Sequence, residues 1–337
     1  MPRSSNNSGS EIILRSAQFC NLTEVVVRPQ DTLDDLKRKV KYATILGTMQ
    51  ATLTDFRYLR PIWKRNTEEE ALLGVSLTGI MDHPILGNSV VANDLNLNAW
   101  FWTDSDNKVF TAVGWRLKNI LTVLKDGAVE TNKEWATKLG INQATAITAV
   151  KPSGTVSQLV DSASGIHARH SKYYIRRVRG DKKDPISKFM ISQGVPHEVD
   201  RMKPDSHLVF SFPIKAPDDS ITRSSRPAME QLELWKVYAE HWCEHKPSIT
   251  VTVKEHEWFD IGAWCFKNID MLSGVSFLPD SDHVYVQPPY EDCTEEVYKE
   301  LLARMPATID WFMLKETEDN TEGTKDLACA AGFCEVI

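Results

Sequence analysis

The sequence predicts an α/β fold built on parallel strands. Short β-branched, apolar runs alternate with stretches of helical periodicity along the whole chain, which is the order of βαβ units. The 337 residues leave room for one large α/β body or two medium domains. Neither an internal repeat nor a low-complexity segment interrupts the pattern before a polar C-terminal arm.

Taken in order, Met1–Ser10 has the look of a leader or junction, and strands are expected at Glu11–Leu14 and Thr23–Arg28. Asp31 is expected to cap a helix whose apolar positions are Leu33, Leu36, Val40 and Ala43. Leu72–Met81 is expected to be a buried strand running into a glycine turn. A long helix should follow from about Val109 to Leu139, weakened by Gly114 and Gly127. Ala144–Val150 and Tyr173–Val178 are strand candidates, Gln231–His245 is helical, and Ser248–Val253 is a strand. Helices over Glu257–Ile269 and Glu295–Arg304 complete the list.

Composition narrows the function. Hydrophobic content of 42 % and charge of 25 % are ordinary for a globular protein, and a net charge of −7 argues against a general nucleic-acid or membrane-surface binder. Nothing approaches the ~20 apolar residues that span a bilayer. The opening residues lack the apolar core of an export signal, so a cytoplasmic location is expected. Six cysteines are then free thiols, with any pairing transient.

Two of these, Cys329 and Cys334, close the chain after the polar run Lys315–Asp326. Such a run buries too little surface to offset its ordering entropy, so an arm carrying a close thiol pair is expected. The pair can exchange with a buried disulfide and be reduced outside; a frayed end or half a zinc site is the plainer alternative. Inside the chain, Ala149–Ser157 ends a strand, turns at Pro152 and starts a helix near Val156. Its backbone and the Ser153, Thr155 and Ser157 hydroxyls suit an anion, although an ordinary capped turn accounts for the pattern equally well. It lacks the ending of a Walker loop. His167, Arg169 and His170 suit substrate, metal or a structural role, the last being favoured. Arg176, Arg177 and Arg179 suit one solvated strand face better than an anion site. Cys20 alone reads as a core thiol and Glu11 as the exposed side of an edge strand.

Several of these segments together resemble one family. Asn7-x-Gly9-x-Glu11–Leu14 followed by Phe19–Glu24 is similar to the finger-loop region of ribonucleotide reductases, closest to the monomeric, adenosylcobalamin-dependent class that reduces ribonucleoside triphosphates. Lys151–Ser157 with Ser164–His167 resembles that family's substrate-phosphate loop. Trp242–Val251, Ile269–Pro279 and the terminal Cys-x4-Cys also resemble it, in the same order. The resemblance covers a C-terminal half. It implies that residues 11–313 form the second half of a ten-stranded α/β barrel and 314–337 a flexible redox tail.

It further implies that Glu11 moves protons, Asn7 holds substrate and Cys20 is one of the reducing pair. Ser153, Gly154, Thr155, Val156 and Ser157 would cradle phosphate, and Cys329 and Cys334 would be the shuttle. The implied cofactor is adenosylcobalamin, with no metal site on this chain. The implied partners are a ribonucleoside triphosphate, thioredoxin or a similar dithiol, and an N-terminal reductase half. One position departs from the family: Gly9 stands where the radical cysteine belongs. A truncated or split gene is the favoured reading, over a decayed copy or an engineered fragment, and no turnover is expected from the chain alone. The competing reading is a non-catalytic nucleotide-binding remnant or redox partner.

Overall fold

The computed structural model describes residues 11–87, 102–103, 109–110, 112–218, 220–280 and 286–315. In chain order the elements begin with β1 (Asn21–Val26), α1 (Leu33–Gln50), α2 (Pro61–Glu70), β2 (Leu73–Thr78), β3 (Trp102–Thr103), β4 (Val109–Phe110), α3 (Ala112–Leu139), β5 (Thr148–Ala149) and α4 (Gly154–Leu159). They continue with β6 (Tyr173–Asp181), α5 (Pro185–Ser192), β7 (His197–Val199), β8 (His207–Lys215), α6 (Ala228–His241), β9 (Ile249–Val253), α7 (Trp258–Lys267), β10 (Val275–Pro279), β11 (Tyr290–Asp292) and α8 (Glu295–Arg304). They form two compact units, the first reaching to Arg169 and resuming after Asp218, the second holding His170–Asp218 and the last described stretch.

The first unit is the expected parallel α/β body. β1, β2 and β5 pair in parallel, and so do β9 and β10. A parallel bridge from Val150 to Pro247 joins the two sets, giving the row β1-β2-β5-β9-β10 among the described residues. In-register neighbours point the same way, so the sheet has two distinct faces. Val25, Leu73, Val75 and Leu77 make one face, each at most 2 % exposed. Against it lies α1, whose Gly47 is so close that a Cβ there would sit 3.5 Å from Leu73 and from Thr23. The other face carries Leu22, Glu24 and Val26 from β1 and the small or polar Gly74, Ser76 and Thr78 from β2. Every residue of β2 is buried because a strand lies on each side of it, as expected for a central parallel strand.

The second unit departs from the expectation of parallel strands throughout. Its sheet, β11-β6-β8-β7, is antiparallel, with β6 and β8 in register from Tyr173↔Lys215 to Asp181↔His207. Its small core is Val195, Leu208 and Phe210 with Met190, Phe212, Met305 and Ile309 packed on it.

Local differences have local causes. Thr32, not Asp31, caps α1: its hydroxyl accepts from the Asp35 backbone N–H while Asp35 reaches back, a capping box. Asp31 instead accepts from the Arg28 backbone N–H at 2.8 Å and pairs with Lys39 at 2.5 Å. Glu11–Leu14 is a turn and loop rather than a strand; its Glu11 carbonyl accepts from Lys246 N–H at 3.0 Å instead of joining a ladder. The Ala144–Val150 strand shortens to two residues. Helix α3 runs unbroken through Gly114 and Gly127. Helices α2 and α5, each with proline in the first turn, and strands β7 and β8 were not anticipated.

Candidate active site

The face of the first sheet that carries Gly74, Ser76 and Thr78 gathers the chemistry. A Cβ at position 74 would lie 2.5 Å from Leu22 Cδ2, 2.8 Å from Ile12 Cδ1 and 3.6 Å from Cys20 Sγ. Glycine at 74 therefore lets the segment from Ile12 to Leu22 lie down against β2, bringing the finger-loop-like residues onto this face.

Glu11 is 3 % exposed, and its Oε2 lies 3.4 Å from Lys151 Nζ. The exposed-edge expectation for this residue is thus corrected. A buried carboxylate is costly unless paired, and Lys151 is the pair. The chain that ends α6 holds the same place from the other side. Trp242 Nε1–H donates to Ala149 O at 2.8 Å, Glu244 accepts from Ile147 N–H at 2.9 Å, and Lys246 N–H reaches the Glu11 carbonyl. Trp235 Nε1–H donates to Pro247 O at 2.9 Å. The Trp242–Val251 motif is therefore a strap that positions β5 and Glu11.

Burial pushes the Cys20 thiol up to about 12, against the lowering effects of the Asn21 backbone hydrogen bond and the Lys151 charge. At pH 8, four units below that value, roughly one molecule in ten thousand is thiolate. Cys20 is thus held as a thiol. Alkylation of the Cys20 peptide by iodoacetamide, followed by mass spectrometry, is expected to keep rising about tenfold per pH unit between pH 7 and 9.5. A plateau near pH 8.5 would contradict this placement.

Next to this pair runs the loop from Lys151 to His167. Lys151 N–H donates to Ser76 Oγ at 2.9 Å and Ser153 N–H to Ser164 Oγ at 2.8 Å. Gly165, at φ +54°, approaches so closely that a Cβ would stand 2.7 Å from the Lys151 carbonyl. The Ser157 hydroxyl is turned inward, donating to Gly154 O at 2.8 Å, so within the predicted cradle it serves the turn itself. Thr155 and Val156 are exposed at the first turn of α4. The Ser153 Oγ is buried and makes no hydrogen bond of full geometry.

His167 borders the same face. Its Nε2 accepts from Thr250 N–H at 2.9 Å, which leaves Nδ1–H to donate to Ser164 O at 3.1 Å. That fixes the neutral tautomer. Desolvation lowers its pKa, with the Ser164 carbonyl and Glu11 opposing. Arg169 is structural: it grips Asp82 with two hydrogen bonds of 2.9 Å and reaches Asp161 at 3.0 Å. His170 belongs to the second unit, where Nε2 lies 3.0 Å from Asp292. In that unit Arg177 pairs with Glu291, Arg179 with Asp200 at 2.9 Å, and Arg176 stacks on Tyr290. These partners leave the solvated-face reading ahead of an anion site.

The structure thus brings Glu11, Cys20 and the 151–157 loop onto one side of one sheet. Asn7, Gly9, Cys329 and Cys334 lie outside the described residues. Sequence reasoning gave no role to two residues on this face, Lys151 and Glu24. Glu24 could have been found from the alternation Leu22-x-Glu24-x-Val26, which puts a carboxylate on the face opposite the core. Burial raises its carboxyl above the usual range, and the nearby Ser153 hydroxyl opposes this.

No family model matches the sequence. The chain is 27 % identical, over 97 % of its length, to a probable adenosylcobalamin-dependent ribonucleoside-triphosphate reductase of Dictyostelium discoideum, of which it covers 39 %. It is 26 % identical over 95 % of its length to the adenosylcobalamin-dependent ribonucleoside-triphosphate reductase of Euglena gracilis, covering 40 % of it. With the enzyme of that name from Lactobacillus gasseri the identity is again 26 %, over 98 % of this chain and 45 % of the relative. The chain therefore spans less than half the length of these relatives. A crystal structure of a B12-dependent (class II) ribonucleotide reductase matches 89 % of this chain and 42 % of its own, with a TM-score of 0.72 at 22 % identity. The fold is accordingly of the ribonucleotide reductase type, and in sequence the chain is similar over nearly all its length to the adenosylcobalamin-dependent ribonucleoside-triphosphate reductases.

Proposed function

We propose that this chain carries part of the active site of a cobalamin-dependent ribonucleoside-triphosphate reductase. The observation that carries the reading is the placement of a buried, lysine-paired carboxylate, the Cys20 thiol and the 151–157 loop on one sheet face. The row of five parallel strands is what half of a ten-stranded barrel would contain. In this reading the 151–157 loop holds the triphosphate, with Ser153 and Thr155 as its hydroxyl contacts. Asn7 orients the substrate, and Glu11 moves a proton as the 2′ oxygen leaves as water. Cys20 and a second thiol, from the part of the reductases that this chain does not cover, each give up a proton and an electron to the substrate, the two of each that replacing the 2′ hydroxyl by hydrogen consumes, and join as a disulfide. Cys329 and Cys334 then exchange with that disulfide and are themselves reduced by thioredoxin or a similar dithiol.

Adenosylcobalamin belongs to the relatives by name. A cavity of about 630 Å³ is lined by Pro61, Lys64, Arg65, Glu68, Glu69 and Asn142, a charged groove without the apolar wall a corrin would need. Gly9 is taken as the position of the family's radical cysteine, so hydrogen abstraction from the sugar is assigned elsewhere. That same glycine favours a second reading, a nucleotide-binding protein without turnover.

Titration calorimetry with CTP tests the shared part of both. Binding by the full chain is expected, weakened at least about tenfold by Ser153→Ala with Thr155→Val, since hydrogen bonds to charged groups contribute ~1.5–3 kcal/mol each. Equal affinity in the two proteins would reject the phosphate loop. Turnover once the remaining reductase sequence is supplied separates enzyme from binder.

A further inference from the structure

Resting on the phosphate-loop reading above, we propose that His167 is a positioning residue for the nucleotide: through Ser164 it sets the place of Ser153, and with it the affinity of the loop for phosphate. The ring bridges β9 and the segment that follows α4. Along β9 the backbone N–H groups alternate sides. Ser248 N–H donates to Val150 O at 3.0 Å, Ile249 N–H to Gly274 O at 2.8 Å, and Thr250 N–H faces the Val150 side again. On that side the chain has left the sheet for α4. His167 Nε2 stands in for the missing strand carbonyl and accepts from Thr250 N–H at 2.9 Å.

An acceptor at Nε2 puts the proton of the neutral ring on Nδ1, which donates to Ser164 O at 3.1 Å. The His167 backbone N–H reaches the same carbonyl at 2.9 Å, so the ring ties this closed turn to the sheet. Ser164 in turn accepts the Ser153 N–H on its Oγ at 2.8 Å. A relay thus runs from a core strand, through one imidazole and one serine, to the residue that begins the loop helix. Ser153 sits at the N-cap of α4 in helical backbone, φ −86° and ψ −6°, and its hydroxyl does not cap that helix. A capping serine is ordinarily extended, with its hydroxyl turned onto the helix. The bond to Ser164 holds the other conformation, in which the hydroxyl is left for a ligand. Order laid down before binding need not be imposed by the nucleotide, so the relay raises affinity.

Titration calorimetry with CTP on the full chain tests this, with Ser153→Ala as the reference. His167→Phe keeps a ring and removes both of its hydrogen bonds, and its affinity is expected to fall about threefold to tenfold. Added to Ser153→Ala it is expected to cost nothing further, because the hydroxyl it places is already gone. A role in stability alone would leave the affinity of the folded protein unchanged, and a diffuse role would add its loss to that of Ser153→Ala. Either result overturns the inference. Should His167→Phe fail to fold by circular dichroism, Ser164→Ala cuts the relay one step further along while keeping the ring and both its bonds. A similar loss that does not add to Ser153→Ala supports the relay; wild-type affinity or an additive loss overturns it. Failure of wild type to bind CTP, or equal affinity in Ser153→Ala and wild type, would instead reject Ser153 as a phosphate contact and this inference with it.

Discussion

Arg169→Leu is expected to destabilise the first unit by about 3–5 kcal/mol, because it strips the charge partner from a buried carboxylate. The side chains of Arg169 and Asp82 are 4 % and 3 % exposed. Asp82 also accepts from Ala163 N–H at 2.8 Å, and Gly79 N–H donates to Ala163 O at 2.7 Å. The ion pair therefore ties the end of β2 to the far end of the phosphate-loop segment. Urea denaturation measures the loss. Adding Asp82→Leu to Arg169→Leu removes the stranded charge, so the double variant is expected to be more stable than the single one. A single variant as stable as wild type would show that the pair does not hold these segments together.

A comparable loss, about 3–5 kcal/mol, is expected for Trp235→Ala. Trp235 is fully buried in the main core, and its indole N–H satisfies the Pro247 carbonyl inside the strap that holds Glu11. Trp235→Phe keeps most of the apolar contact and removes only the donor. Its expected cost is about 1–3 kcal/mol, the penalty for a buried carbonyl left unsatisfied. Equal losses in the two variants would mean that the hydrogen bond, rather than the packing, carries the effect. Thermal unfolding followed by circular dichroism separates the outcomes.

Much of the first unit could be read from residue pattern. Leu72–Met81 is apolar apart from Ser76, Thr78 and its glycines and became the central strand, which stops just before Gly79, whose φ is +80°. The helical spacing of Leu36, Val40 and Ala43 became the buried stripe of α1. Elements lacking such a pattern escaped. Strand β8 mixes His207, Ser211 and Pro213 into its run, and α2 is almost entirely polar outside Ile62 and Trp63, so neither periodicity stands out. The cap of α1 was misplaced by one residue because Asp31 and Thr32 are both good capping types, and only the reach of Asp35 decides between them.

Residue types and their spacing supply the candidate chemistry: a carboxylate, a lone thiol and a hydroxyl-rich strand-to-helix turn, resembling one family in their order. Which of them meet is a matter of three-dimensional packing. Glu11 and Lys151 are 140 positions apart, and their 3.4 Å approach exists because a glycine at 74 and a strap from α6 press the two segments onto one sheet face. Burial there, invisible in a linear pattern, is also what keeps the Cys20 thiol protonated and raises the Glu24 carboxyl. Ionisation follows the local dielectric and the neighbours, and both are set only once the strands have paired.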